Sequence, residues 1–278
     1  MFLTIRRFAL LIPTAFLLSA CFASKPTTEQ LCEDHEALQC AQLNMNDGQC
    51  RSQRDDLILN RFDVLKSNND LDKLKTLKAT HQYQICLTSA AQIEPITAKE
   101  VKSKRTEALL DTYDAIDALT VELKDSKEPK VLFYRWITGD KDALRSFLQL
   151  EGTNALETTE LQYALATFYT LRNGNKTILI LNHALELLTE QDYDNNQHTI
   201  IIKSLASINH KENNKDHAYV WALVGKGYEL QVASEQQLDL LYQFTDAEKE
   251  RLKQVSELIK ENIDNLAFKA SLLPAENK

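Results

Sequence analysis

The sequence predicts an all-α protein in which helical hairpins stack as a right-handed solenoid, stapled by disulfides at the N-terminal end. Three observations predict it. Only six glycines and five prolines occur among 278 residues, and so few turn residues favour long helices over sheets and loops. Residues 132–151 match residues 167–186 without a gap, and a fixed period in this range marks stacked helix–turn–helix units. Four cysteines, Cys32, Cys40, Cys50 and Cys86, gather toward the amino end, which is how a disulfide framework reads in an exported chain.

The elements follow in chain order. Arg6 and Arg7 precede the apolar run from Phe8 to Leu18, a positive then hydrophobic pattern too short to span a bilayer and typical of a secretion signal, residues 1–20. Leu18-Ser19-Ala20-Cys21 resembles the lipobox of bacterial lipoproteins. That resemblance implies cleavage before Cys21 and lipidation of its sulfur, palmitate included. More than one acyl chain makes such an anchor stable. Residues 21–31 then read as a lipidated, polar tether containing Pro26. Phe22, where an aspartate would hold a lipoprotein at the inner membrane, implies the outer membrane, with the body facing the periplasm.

Composition narrows the partners. Removing residues 1–20 removes two arginines and no acid, so the formal charge moves from -8 to -10. An acidic body of this kind argues against nucleic acid or anionic lipid as a partner. Four cysteines allow three disulfide connectivities. Spacings of eight, ten and thirty-six lack the C-x-x-C pairs of structural zinc sites.

Residues 32–125 read as a disulfide-bonded helical region. Leu57, Ile58, Phe62 and Leu65 have helical spacing over 51–67, as do Leu71, Leu74, Leu77, Ile85 and Ala91 over 70–93. The turn between them centres near residue 68, so an antiparallel hairpin brings Cys50 level with Cys86. This favours a Cys50–Cys86 bridge and leaves Cys32–Cys40 by elimination. Thr97-Ala98-Lys99-Glu100 reads as a capping box opening a third helix that runs to about Lys124.

Residues 126–232 hold the repeats. Seven of the twenty aligned positions are identical, among them Tyr134 and Tyr169, Gly139 and Gly174, Lys141 and Lys176, and Glu151 and Glu186. The glycines are expected at αL helix ends, with Asp140 and Asn175 as the following N-caps. A third, degenerate unit fits 197–230. The runs TILIL (177–181) and HTIII (198–202) are strand-like in composition, yet each lies inside a helical frame. Residues 233–278 read as capping helices 235–243 and 246–268, opened by the boxes Ser234-Gln237 and Thr245-Glu248. The second carries an apolar stripe of Leu252, Val255, Ile259, Ile263 and Leu266.

Within the repeats, LQYALATFY (161–169) followed by NHALELL (182–188) resembles tetratricopeptide and Sel-like repeats, whose stacks make concave binding surfaces. Trp136 and Phe147 depart from that pattern, standing where small residues are usual. By analogy with exposed first-helix positions of such repeats, Tyr134, Tyr169, Arg172 and Tyr219 are the candidate partner-binding residues. Their other reading is aromatic core. Over roughly residues 30–245, segments such as LNMNDGQCRSQRDDLI (43–58) and VWALVGKGYELQVASE (220–235) are similar to a family of Gram-negative lipoproteins known as a domain of unknown function. That resemblance implies no activity and no site.

Motifs for chemistry are few. His35, His81, His183, His198, His210 and His217 have no paired metal-ligand spacing, and no cofactor or metal is expected. Asn46-Asp47-Gly48 reads as a turn ahead of Cys50 rather than a calcium loop. The carboxylate pairs Asp55/Asp56, Asp140/Asp142 and Glu157/Glu160 suit acid–base chemistry only if a cleft sets their separation. The expectation is therefore a non-enzymatic scaffold or regulator that binds a protein or peptide of the cell envelope. The alternative is a periplasmic enzyme acting on cell-wall glycan or peptide through paired carboxylates.

Overall fold

A computed structural model of the chain describes residues 26–94 and 99–275. The signal, Cys21 and the Thr97 capping box lie outside the described residues. Two compact units emerge, the first from Met1–Asn68 and Lys78–Ala115, the second from Asn69–Leu77 and Ile116–Lys278. Among the described residues there is no strand, and no helix is long and apolar enough to cross a membrane.

The first unit opens with α1 (Thr28–Asp34), begun by a capping box between Thr27 and Gln30. Residues 28–31 are thus helix rather than tether, and Leu31 is buried in the core. The 3-10 turns Glu36–Leu38 and Cys40–Leu43 lead to α2 (Arg51–Ser67). Leu57 and Ile58 of α2 share a core with Tyr83 and Leu87 of α3 (Asp70–Ala90) and Ala108 of α4 (Lys99–Glu122). Asn68 ends α2 in the αL conformation, its N–H donating to the Val64 carbonyl, a role asparagine fills at little steric cost.

Both bridges are present as the hairpin implies. Cys50–Cys86 and Cys32–Cys40 each have Cα atoms 5.8 Å apart, inside the range a disulfide spans without moving backbone. The segment they fasten is irregular, so its carbonyls need partners that no helix ladder provides. Arg54 donates to the Asn44 and Asp47 carbonyls, each at 2.9 Å. Arg61 donates to the Leu38 carbonyl at 2.8 Å, and the Tyr83 hydroxyl to that of Leu43 at 2.5 Å. Burial pushes the Tyr83 hydroxyl pKa up to about 12. Arg105 closes the set, with Nε 2.5 Å from Asp47 Oδ2 and Nη1 on the Ala90 carbonyl. Its hydrogen bond holds the Asp47 carboxyl below the usual range.

The second unit is a succession of helix pairs. They are α5 (Pro129–Ile137) with α6 (Lys141–Leu148), α7 (Thr159–Tyr169) with α8 (Gly174–Glu186), and, after the short α9 (Glu190–Asp194), α10 (Gln197–Lys211) with α11 (Lys215–Gly227). TILIL and HTIII are helical, inside α8 and α10. Phe147, Leu156 and Leu165 fill the core of the first two pairs. A larger core from α8, α10 and α11 takes in Trp221 and, from α13 (Asp246–Asp264), Leu252, Ile259 and Ile263.

The first repeat turn follows expectation. Gly139 has φ +109°, and Asp140 caps α6 by accepting from the Asp142 and Ala143 N–H groups. The second turn does not. Asn173, not Asn175, is the cap, accepting from Lys176 N at 2.9 Å, and Gly174 is the first residue of α8 in helical conformation. What Gly174 supplies is room: a Cβ there would lie 2.0 Å from the Glu212 carboxylate.

Both C-terminal capping boxes are present, opening α12 (Glu235–Tyr242) and α13. The helix expected to reach residue 268 ends at Asp264, and Leu266, at φ +54°, leaves the stripe for solvent. Phe268, Leu272 and Leu273 return to the same core. The Ala270 N–H donates to Glu186 and the Pro274 carbonyl is bonded by His217.

Candidate functional site

The four expected contact residues do not form one surface. Tyr134 is half-buried against Leu74, Leu77 and Val131. The Tyr169 hydroxyl donates to Glu151 at 2.7 Å, and the Lys176 ammonium, paired with the same glutamate, lies 3.9 Å from its ring centre. Tyr219 is 5% exposed and packs edge-on to Phe244. It belongs to the core because its α11 neighbours Val220 and Trp221 are buried as well, leaving that stretch no solvent face. Arg172 alone is on an open surface, stacked over Phe168 and beside Lys211 and Glu212.

That surface leads to a groove of the second unit, a cavity of about 600 Å³ between α7, α8 and α10. One wall is α7, through Tyr163, Ala166, Thr167 and Thr170, spaced as one helical face. The other is α10, through Lys203, Ser204, Ser207 and Lys211. Thr177, Leu181 and Ile208, all buried, make the floor, and Leu171, 85% exposed, stands at one end. Lys203 and Ser207 also border a second hollow of about 450 Å³ toward α12, where the Tyr242 hydroxyl meets His210 Nδ1 at 2.8 Å. The concavity arises because two successive first helices face each other across the small residues Ala166 and Ser207.

Most of the other carboxylate candidates are engaged in structure. Asp140 caps α6 and pairs with Arg135 at 2.7 Å, and its carboxyl is held below the usual range by the Ala143 N–H and that arginine. Asp142 pairs with Arg145, Glu157 with His183 at 2.7 Å, and Glu160 with Lys130 at 2.7 Å. Asp55 accepts from the Thr28 hydroxyl at 3.3 Å. Among the described residues no three His, Cys, Asp or Glu side chains are gathered as metal ligands. His198 is buried, stacked on Tyr193 at 4.3 Å. Beside it Tyr193, Tyr228 and Lys260 all bond Asp264.

Sequence reasoning missed Lys203, Ser207 and Lys211. They recur every four residues and so share one face of α10, but periodicity does not say which solvent face of a helix borders a groove.

The described residues thus define an all-helical, disulfide-bonded protein of paired helices carrying a polar-walled, apolar-floored groove. The chain belongs to the family described as "Protein of unknown function (DUF2989)", whose model matches residues 18–223. No curated protein and no solved structure matches the chain.

Proposed function

We propose that this chain is a lipoprotein anchored to the outer membrane through Cys21, facing the periplasm, and acting as a protein-binding scaffold or regulator of the cell envelope. On this reading the pairs α5/α6, α7/α8 and α10/α11 are units of a tetratricopeptide-like or Sel-like right-handed solenoid. The observation that carries the proposal is the groove between α7 and α10. Its volume, about 600 Å³, is in the range of sites that take up ligands, and its walls are successive first helices, the surface by which stacked repeats bind.

The test is site-specific photocrosslinking in intact cells. A photoreactive side chain in place of Ser207, which is exposed on the groove wall, is expected to capture a discrete protein. The same group in place of Gln254, exposed on α13 away from the groove, is expected to capture none. No adduct from Ser207, or the same adducts from both positions, would remove the scaffold reading.

A further inference from the structure

The groove between α7 and α10 has a charge opposite to that of the chain. Acids outnumber bases by 40 to 32, yet no Asp or Glu among the described residues lines this groove, whose charged side chains are Lys203 and Lys211. Both are exposed. Lys203 joins no ion pair among the described residues, and the Lys211 ammonium reaches the Thr170 carbonyl on the opposite wall at 3.3 Å. Eight residues of α10 separate them, about 12 Å along the helix axis.

Between the two cations lies the apolar floor of Leu181 and Ile208. The hydroxyls of Thr167, Thr170 and Ser204 donate to carbonyls of their own helices, so toward the groove they present acceptor lone pairs. A ligand suited to this wall brings anions at its two ends, an apolar group between them and N–H donors alongside.

We propose that the groove binds an extended acidic peptide segment, with carboxylates at positions i and i+4 paired to Lys203 and Lys211 and an apolar side chain at i+2 on the floor. In an extended chain these three side chains point the same way, and four residues span about 13 Å. The backbone N–H groups of the segment meet the threonine and serine acceptors. A phosphate-bearing lipid would satisfy the two lysines but brings no row of N–H donors at the spacing of an extended backbone, so the peptide is favoured. The inference rests on the reading of this groove as a protein-binding surface and specifies its occupant.

The experiment titrates the full chain, purified in zwitterionic micelles, against a fluorescein-labelled, amidated peptide SSETLTESS and its counterpart SSQTLTQSS. The acidic peptide is expected to bind roughly tenfold more tightly at low salt, as two exposed ion pairs allow, and to lose that advantage as salt rises. The double variant Lys203→Gln, Lys211→Gln is expected to bind both peptides equally while melting like the unaltered chain. Equal affinity of the unaltered chain for the two peptides, or a preference that survives the double variant, overturns the proposal. So does a lysine-dependent block by phosphatidylglycerol added to the micelles when the peptides bind alike, which assigns the groove to anionic lipid. Crosslinks from Ser207 that persist unchanged in the double variant also defeat the acidic inference while leaving the scaffold standing. Failure of the scaffold itself shows instead as no crosslink from the unaltered chain.

Discussion

At the scale of single residues, two glycines aligned by the repeat turn out to do different work. Gly139 holds φ +109° with nothing within 4 Å of a Cβ position, so its constraint is conformational. Gly174 is helical, and its constraint is the flexible end of the Glu212 side chain. Gly139→Ala is therefore expected to cost about 1 kcal/mol or more, whereas at Gly174→Ala the carboxylate swings aside and the helix gains propensity. Thermal melts of both variants check this: a larger loss at Gly174 would show that Glu212 is fixed in place. His198 offers a second test. It is 3% exposed with Nδ1 unpartnered, faced by Asp264 and Lys260, and burial depresses its pKa. Its neutral form is favoured in the folded state, so stability is full above the unfolded histidine value of about 6.5 and falls as pH drops below it. His198→Phe, which keeps a stacked ring without the titrating nitrogen, is expected to melt with a shallower dependence between about pH 7 and pH 5. Parallel curves for the two proteins would assign the acid sensitivity elsewhere.

At the scale of elements, covalent and polar ties fasten what the helices alone would leave loose. The irregular segment between α1 and α2 is held by Arg54, Arg61, Tyr83 and Arg105 and by both bridges. In the loop-entropy account, Cys50–Cys86, with a sequence separation of 36, contributes about 4 kcal/mol, and Cys32–Cys40, with a separation of eight, about 2.6. Paired Cys→Ser variants are expected to lose stability in that order on denaturant titration; the reverse order would mean that the shorter bridge anchors α1 more than it closes a loop. The repeat also divides its labour between elements. Glu151 accepts from Tyr169 and pairs with Lys176 of the next helix pair, while its counterpart Glu186 takes the Ala270 N–H of the returning C-terminal segment.

At the scale of the whole molecule, the proposed address governs where the groove can act. If acyl chains on Cys21 supply the membrane affinity, Cys21→Ser is expected to move the protein from the membrane pellet to the soluble periplasmic fraction. A variant that still pellets in high salt would disprove the anchor. The contrast between an acidic chain and a basic groove is a whole-molecule property too: the net charge is -8, while the charged side chains lining the groove are two lysines.

The sequence by itself determined the helical class, the α2/α3 hairpin with its turn at Asn68, the caps at Ser234 and Thr245, and the pairing of Cys50 with Cys86. Each rests on local spacing, where hydrogen bonding and periodicity act within a few residues or along one hairpin. It also showed seven identities between 132–151 and 167–186, but not that α8 is capped two residues earlier in that alignment than α6. The cap falls on Asn173, which accepts from the Lys176 N–H, and two asparagines flanking Gly174 look alike as caps in sequence. Tertiary structure alone decided that Tyr219 is core, that Tyr169 is spent on Glu151, and that Lys203 and Lys211 face a groove. A helix announces its buried stripe through its apolar residues, but its polar residues look alike in sequence until a neighbouring helix places some of them beside a cavity and leaves the others in open solvent.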